Sequence, residues 1–307
     1  MRLTPYCALR QRSQHLQEFV YESPRTIDDA VAALARGNAR ALAGGTDLIP
    51  QLREGRRQAG RIVDLKRISE LTAIAALPDG GFCIGAAATA TTVARHAGLA
   101  AAYPAVAQSA QLIGGVQIQN RASLGGNICN AAPSADAVPA LICHEARALI
   151  AGRKGTREVA VEALFRGPGQ TTLAPDEILV SILLPTPAPR SAGKYLRFTP
   201  RREMDIAIAG AATCISLDAQ GAIAAARVVL ASVAPTPIRA PSAEQRLISE
   251  RPTPALLEEA GSLAAGDARP ISDTRGSADY RRSLVAVLTA RALADCCRQL
   301  EAKAALP

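Results

Sequence analysis

Ala43-Gly44-Gly45-Thr46-Asp47 and, about 80 residues later, Ser123-Leu124-Gly125-Gly126-Asn127 are the stretches that decide how this chain folds. Each sets a Gly-Gly pair beside a small or amide residue, and each follows an apolar segment. Glycine reaches φ > 0 and lets bare N–H groups approach a ligand. Backbone N–H groups presented in this way bind anions such as phosphate. Two such loops on one chain suggest a diphosphate held from both sides. Neither stretch matches G-x-G-x-x-G or G-x-x-x-x-G-K-[ST], so the familiar dinucleotide and P-loop fingerprints are absent at both places.

Working outward, the flanks alternate between helix and strand signals. Thr26 before Ile27-Asp28-Asp29-Ala30-Val31 predicts a capped helix. Ala41 to Ala43 reads as a short strand feeding the first loop, and Leu48 to Arg53 as a short helix leaving it. Arg61 to Leu65 and Gly81 to Ala86 read as strands. Thr92 to Ser109 has helical periodicity broken near Pro104. Val138 to Leu149 mixes a short helix with a strand, Gly167 to Gln170 is a turn, and Ile178 to Leu184 alternates as a strand. Pro185 to Pro189 holds three prolines and is the expected domain boundary. Beyond it come strands at Lys194 to Thr199, Ile206 to Leu217 and Ala225 to Val233, then helices at Thr253 to Ala265 and Ser277 to Ala302. Strands followed by helices predict an α+β second domain.

The chain has 307 residues, enough for two domains, and 49% are hydrophobic, enough for a sizeable core. The net charge is +8, but the surplus is scattered arginine. With no Trp, four Phe and five Tyr there is no basic–aromatic footprint for nucleic acid. No apolar run reaches the length of a membrane span. Residues 1–18 lack the apolar core of a signal peptide and are expected to be a disordered extension or a misassigned start. The seven Cys have irregular spacing and no C-x-x-C, which fits buried thiols in a reducing cytoplasm. His15, His96 and His144 show no metal-ligand spacing, and no nucleophile–base constellation stands out.

The two loops, with Pro133-Ser134-Ala135-Asp136 after the second, resemble the FAD-binding (medium) subunit of the molybdenum hydroxylases, the carbon monoxide dehydrogenase and xanthine dehydrogenase type. Arg197-Phe198-Thr199-Pro200-Arg201-Arg202-Glu203-Met204-Asp205-Ile206-Ala207 is similar to the family's segment near the flavin ring. Ile271 to Arg282 is similar to its C-terminal domain. The likeness runs from about residue 18 to 300.

The resemblance implies an α+β fold: an FAD-binding domain of the vanillyl-alcohol-oxidase (PCMH) type over 19–190, in two subdomains split near 75, then a smaller α+β domain over 191–307. It implies FAD as the cofactor, with no metal site and no catalytic acid, base or nucleophile on this chain. The loop residues Ala43, Gly44, Gly45, Thr46, Asp47 and Leu48, and Ser123, Leu124, Gly125, Gly126 and Asn127, would clasp its diphosphate. Asp136 would meet the ribityl or ribose hydroxyls in preference to serving only as a helix N-cap before Val138, a role compatible with that contact. Ile113 and Leu179 would pack on the cofactor, and Ile206 beside the isoalloxazine ring. Arg197 stands where the family places a flavin-proximal lysine; it keeps the charge as a rigid fork rather than a point donor. Tyr195 reads as either a flavin shield or a packed strand tyrosine.

The implied function is electron transfer in a cytoplasmic complex, a dimer of heterotrimers. A molybdopterin-binding large subunit and a [2Fe-2S] small subunit would be the partners, and NAD, oxygen or a quinone the acceptor. A stand-alone flavin oxidoreductase of the same fold is the alternative.

Overall fold

The computed structural model describes residues 17–304. The expected N-terminal extension lies almost wholly outside them. Among the described residues, three sheets of three or more strands organise the chain, beside a two-stranded pairing of Phe165–Gly167 with Gln170–Thr171. The first is a small parallel sheet in the order Val20–Glu22, Arg61–Asp64, Ala39–Leu42. Helix Ile27–Leu34 joins its outer strands, and Thr26 caps that helix by accepting the Asp29 N–H at 3.1 Å. The second is a five-stranded antiparallel sheet, ordered Ile74–Ala76, Phe82–Gly85, Ile178–Leu184, Arg147–Gly152, Gly155–Ala160. The third is four-stranded, Ser191–Phe198, Ala209–Leu217, Ile223–Ala231 and Ile238–Arg239. Helices Pro254–Asp267 and Ala278–Ala304 pack with it around the C-terminal core.

Strand Ile178–Leu184 is the middle strand of the five-stranded sheet. The sequence suggested alternation, but six of its seven residues are buried. Ile178 and Val180 join the core shared with the parallel sheet, while Leu179, Ile182 and Leu184 join the larger core on the opposite face. A strand covered on both faces reads as a continuous apolar run rather than an amphipathic one.

The larger core contains a helical layer, including Pro104–Gln111, Leu124–Asn130 and Ala137–Cys143. It reaches from Ile84, Ile150 and Ile182 of the five-stranded sheet to Tyr195, Ala212 and Val229 of the C-terminal sheet. The expected Thr92–Ser109 helix is three short ones, Ala90–Arg95, Ala97–Ala102 and Pro104–Gln111. Pro104 opens the third as expected. The additional break is at His96, whose Nδ1 accepts the Leu99 N–H at 3.1 Å and so caps the second. Among the described residues no helix is long and apolar enough to cross a membrane, and the six described cysteines are free thiols.

Candidate functional site: a cleft between two glycine segments

The parallel sheet and the helical layer flank a cleft of about 540 Å³. All of the sequence-derived site residues line it except Leu124 and Arg197.

The first glycine stretch follows strand Ala39–Leu42 and precedes helix Leu48–Arg53. Gly45 has φ +77°, the left-handed region that glycine enters at little cost. The backbone N–H groups of Gly44, Gly45, Thr46 and Asp47 have no acceptor among the described residues. Four successive unpartnered donors among cleft-lining residues are the kind of donor set from which backbone anion sites are made. The Ala43 carbonyl is turned away to Lys66, whose Nζ lies 3.0 Å from it.

The second stretch corrects the expectation of a matching loop. It is the first turn of helix Leu124–Asn130, and Gly125 and Gly126 are not in the positive-φ region. Its donors are spent inside the chain: Gly125 N–H to the Ala86 carbonyl at 3.1 Å, Gly126 N–H to Ser123 Oγ at 3.0 Å, Asn127 N–H to the Ser123 carbonyl at 2.9 Å. Glycine is needed at 125 for closeness: a Cβ there would sit 2.3 Å from the Ala86 oxygen. What this segment offers the cleft is a side chain. Asn127 Oδ1 accepts the Ala137 N–H at 3.2 Å, which leaves its amide NH₂ to donate.

Apolar walls are supplied by Ile113, 9% exposed, and Leu179, 4% exposed, with Ile206 at the mouth, 46% exposed. Met204, 57% exposed and at φ +53°, also lines the mouth. Near the first glycine segment, Gln51 donates to Asn130 Oδ1 at 3.0 Å and accepts from Arg57 Nε at 2.7 Å, joining the two helices that leave the glycine segments.

Asp136 settles one alternative. As the residue before helix Ala137–Cys143 it makes no side-chain cap bond. Instead its two oxygens meet strand Ser191–Phe198 of the C-terminal sheet: Tyr195 OH donates to Oδ1 at 3.0 Å and Arg197 Nη1 to Oδ2 at 2.5 Å. Tyr195 and Arg197 are two apart and so share a strand face. Burial pushes the Asp136 carboxyl up to about 6, against the lowering effects of Arg197 and Tyr195. Arg197 is therefore a partner of Asp136 behind the cleft rather than a residue lining it. Tyr195 is buried in the same contact, and Leu124 is fully buried in the core.

Sequence reasoning missed Lys66, the Gln51–Arg57–Asn130 chain and Met204. The lysine left a local trace, two residues past an apolar strand that ends on Asp64, and Met204 lay within the segment similar to the family's stretch near the flavin ring. The glutamine chain joins positions 79 apart and has no local signature.

Residues 16–187 match the family of the FAD binding domain in molybdopterin dehydrogenase, and residues 194–296 match the CO dehydrogenase flavoprotein C-terminal domain. The xanthine dehydrogenase FAD-binding subunit of Escherichia coli O157:H7 is 33% identical over 277 residues, covering 90% of this chain and 94% of that one. Among solved structures, carbon monoxide dehydrogenase from Hydrogenophaga pseudoflava superposes with TM-score 0.88 at 30% identity, covering 92% of this chain and 99% of the other. Quinoline 2-oxidoreductase from Pseudomonas putida 86 gives 0.87 at 27% identity, covering 93% and 99%. A cleft with four unpartnered backbone N–H groups and apolar walls, on a chain matched by both domains in order over residues 16–187 and 194–296, places this protein in the family of FAD-binding medium subunits of the xanthine and carbon monoxide dehydrogenase type.

Proposed function

We propose that this chain is the electron-transfer flavoprotein subunit of a heterotrimeric molybdenum hydroxylase, built on a PCMH-type FAD-binding domain over 19–190 and a C-terminal domain over 191–307. The observation that carries this reading is the pairing of four unpartnered N–H groups, Gly44 to Asp47, with an apolar wall in one cleft. That donor set suits a diphosphate at one end and a flat apolar ring at the other.

On this reading the Gly44–Asp47 amides donate to the diphosphate, with the Thr46 hydroxyl and the Asn127 amide beside them. Asp136 accepts a ribityl or ribose hydroxyl with the lone pairs that Tyr195 and Arg197 leave unused. Ile113 and Leu179 exclude water from the ring, and Ile206 covers its edge at the mouth. FAD, when bound, supplies the redox chemistry, and the protein supplies placement and electrostatics. Partner subunits would carry molybdopterin and [2Fe-2S] clusters in a dimer of heterotrimers, with NAD, oxygen or a quinone as the outlet for electrons. The substrate is then chosen on the molybdenum subunit.

Purification of the full chain, followed by its visible spectrum and identification of the released flavin, tests this. A yellow protein releasing FAD, without substrate turnover in the absence of partners, is expected. A colourless protein with no releasable FAD, even after co-expression with the partner subunits, overturns it.

A further inference from the structure

We infer that Lys66 is a positioning residue that orients the anion-binding peptide of the first glycine segment; this rests on the reading that the segment holds the FAD diphosphate. Lys66 lies two residues beyond strand Arg61–Asp64. Its ammonium is 2.6 Å from Asp64 Oδ1, and its own N–H donates to the same oxygen at 3.0 Å. The Tyr21 hydroxyl donates to the other Asp64 oxygen, so the carboxylate is fixed from both sides. Burial alone raises the Asp64 carboxyl, but the bonds from Lys66 and Tyr21 outweigh it and hold the group below its ordinary value. The lysine head is thereby anchored, and it spends a further proton on the Ala43 carbonyl at 3.0 Å.

The consequence follows from peptide geometry. In a trans peptide the carbonyl and the next N–H point in opposite directions. Holding the Ala43 oxygen on Lys66, at the sheet, turns the Gly44 N–H the other way, and Gly44 lines the cleft. Glycines at 44 and 45 leave this peptide few steric reasons to keep one orientation. A flipped peptide would present a carbonyl oxygen to a phosphate. A cation on the carbonyl also polarises the amide and strengthens its N–H as a donor. Lys66 does not itself line the cleft, so it acts through the loop rather than on the ligand.

The test uses the full chain stripped of FAD, titrated separately with FAD and with riboflavin while following quenching of flavin fluorescence. Lys66→Met is expected to weaken FAD roughly ten- to a hundredfold, as for loss of a charge-assisted bond, and riboflavin by less than about twofold. Lys66→Gln, which keeps an N–H for the Ala43 oxygen, is expected to recover most of that loss. Unchanged FAD affinity in Lys66→Met, or equal weakening of FAD and riboflavin, overturns the inference. Gly45→Val separates the two layers. If it weakens FAD selectively and Lys66→Met does not, the lysine role fails and the diphosphate reading stands; if Gly45→Val also fails to discriminate between the ligands, the diphosphate reading itself fails. Should Lys66→Met not fold, judged by circular dichroism and melting of the apoprotein, Asp64→Asn releases the lysine anchor. Selective loss of FAD then supports the role, and equal loss of both flavins overturns it.

Discussion

Gly44 packs so closely on Arg121 that a Cβ at position 44 would lie 1.9 Å from the Arg121 carbonyl oxygen and 2.9 Å from the Ala122 nitrogen. The first glycine stretch thus packs backbone to backbone on the residues that lead into the second, and a side chain at position 44 would force the two apart.

Gly44→Ala is expected to destabilise the apoprotein by about 2–3 kcal/mol, because the obstructing atoms are backbone and cannot rotate away. Gly126→Ala meets only Ser123 Oγ, at 3.1 Å, and lies within a helix. The helix propensity of alanine offsets that crowding, so its cost should fall within about 1 kcal/mol of zero. Urea denaturation of both variants checks the contrast, and similar midpoints would remove the argument.

Arg197→Met should cost about 3–5 kcal/mol, since it leaves the buried Asp136 carboxylate without its cation. Adding Asp136→Asn should return a good part of the loss, because no unpaired charge then remains. A double-mutant cycle in urea measures the coupling, and strictly additive effects would contradict a buried pair.

Two buried groups give opposed pH dependence. Burial lowers His144 from 6.5 to about 4 and raises Asp136 from 3.8 to about 6. Between about pH 4 and 6.5 the unfolded chain binds more protons at His144 than the native one does, so that contribution grows with rising pH and is lost on acidification. Between about 4 and 6 the native chain binds more protons at Asp136, so that contribution falls with rising pH. The two partly cancel in the wild type. His144→Gln removes one, so the difference in unfolding free energy between variant and wild type should change steadily from pH 6.5 to 4. A flat difference curve would show that His144 does not titrate in that window.

Ile206 and Leu179 separate cofactor contact from core packing. Leu179→Ala should cost about 2–5 kcal/mol of stability, being buried in the main core. Ile206→Ala, at the exposed mouth, should change apoprotein stability by no more than about 0.5 kcal/mol. Its effect should appear in FAD affinity and in quencher access to the flavin. A stability loss equal to that of Leu179→Ala would assign Ile206 to the core.

Most of the scaffold was legible in the chain because its signals are local. The Thr26 cap, the Leu48–Arg53 helix and the strand at Arg61 each follow from residues within a few positions. The two-faced burial of Ile178–Leu184 was not, because alternation cannot report a second covering layer. The short edge strand Gly155–Ala160 escaped for a related reason: its burial is shallow, and its pairing with Arg147–Gly152 defines it.

The family and its cofactor were legible in the chain through the resemblance its motifs carry, and so was most of the cleft lining, since glycine pairs, caps and apolar runs are properties of short segments; Leu124 and Arg197 were placed in the cleft wrongly, and Gln51, Arg57, Asn130 and Met204 were not foreseen there. By sequence alone the two glycine stretches had one shared role. Only the tertiary structure showed that they differ: the first has free N–H donors, while the second folds into a capped helical turn and uses its own. It also decided that Asp136 reaches across to Tyr195 and Arg197 rather than capping a helix, and that Lys66 holds the Ala43 carbonyl. The physical reason is common to all three. Where a donor, a carboxylate or an ammonium finds its partner depends on which distant backbone passes within 3 Å, and that distance is set by packing.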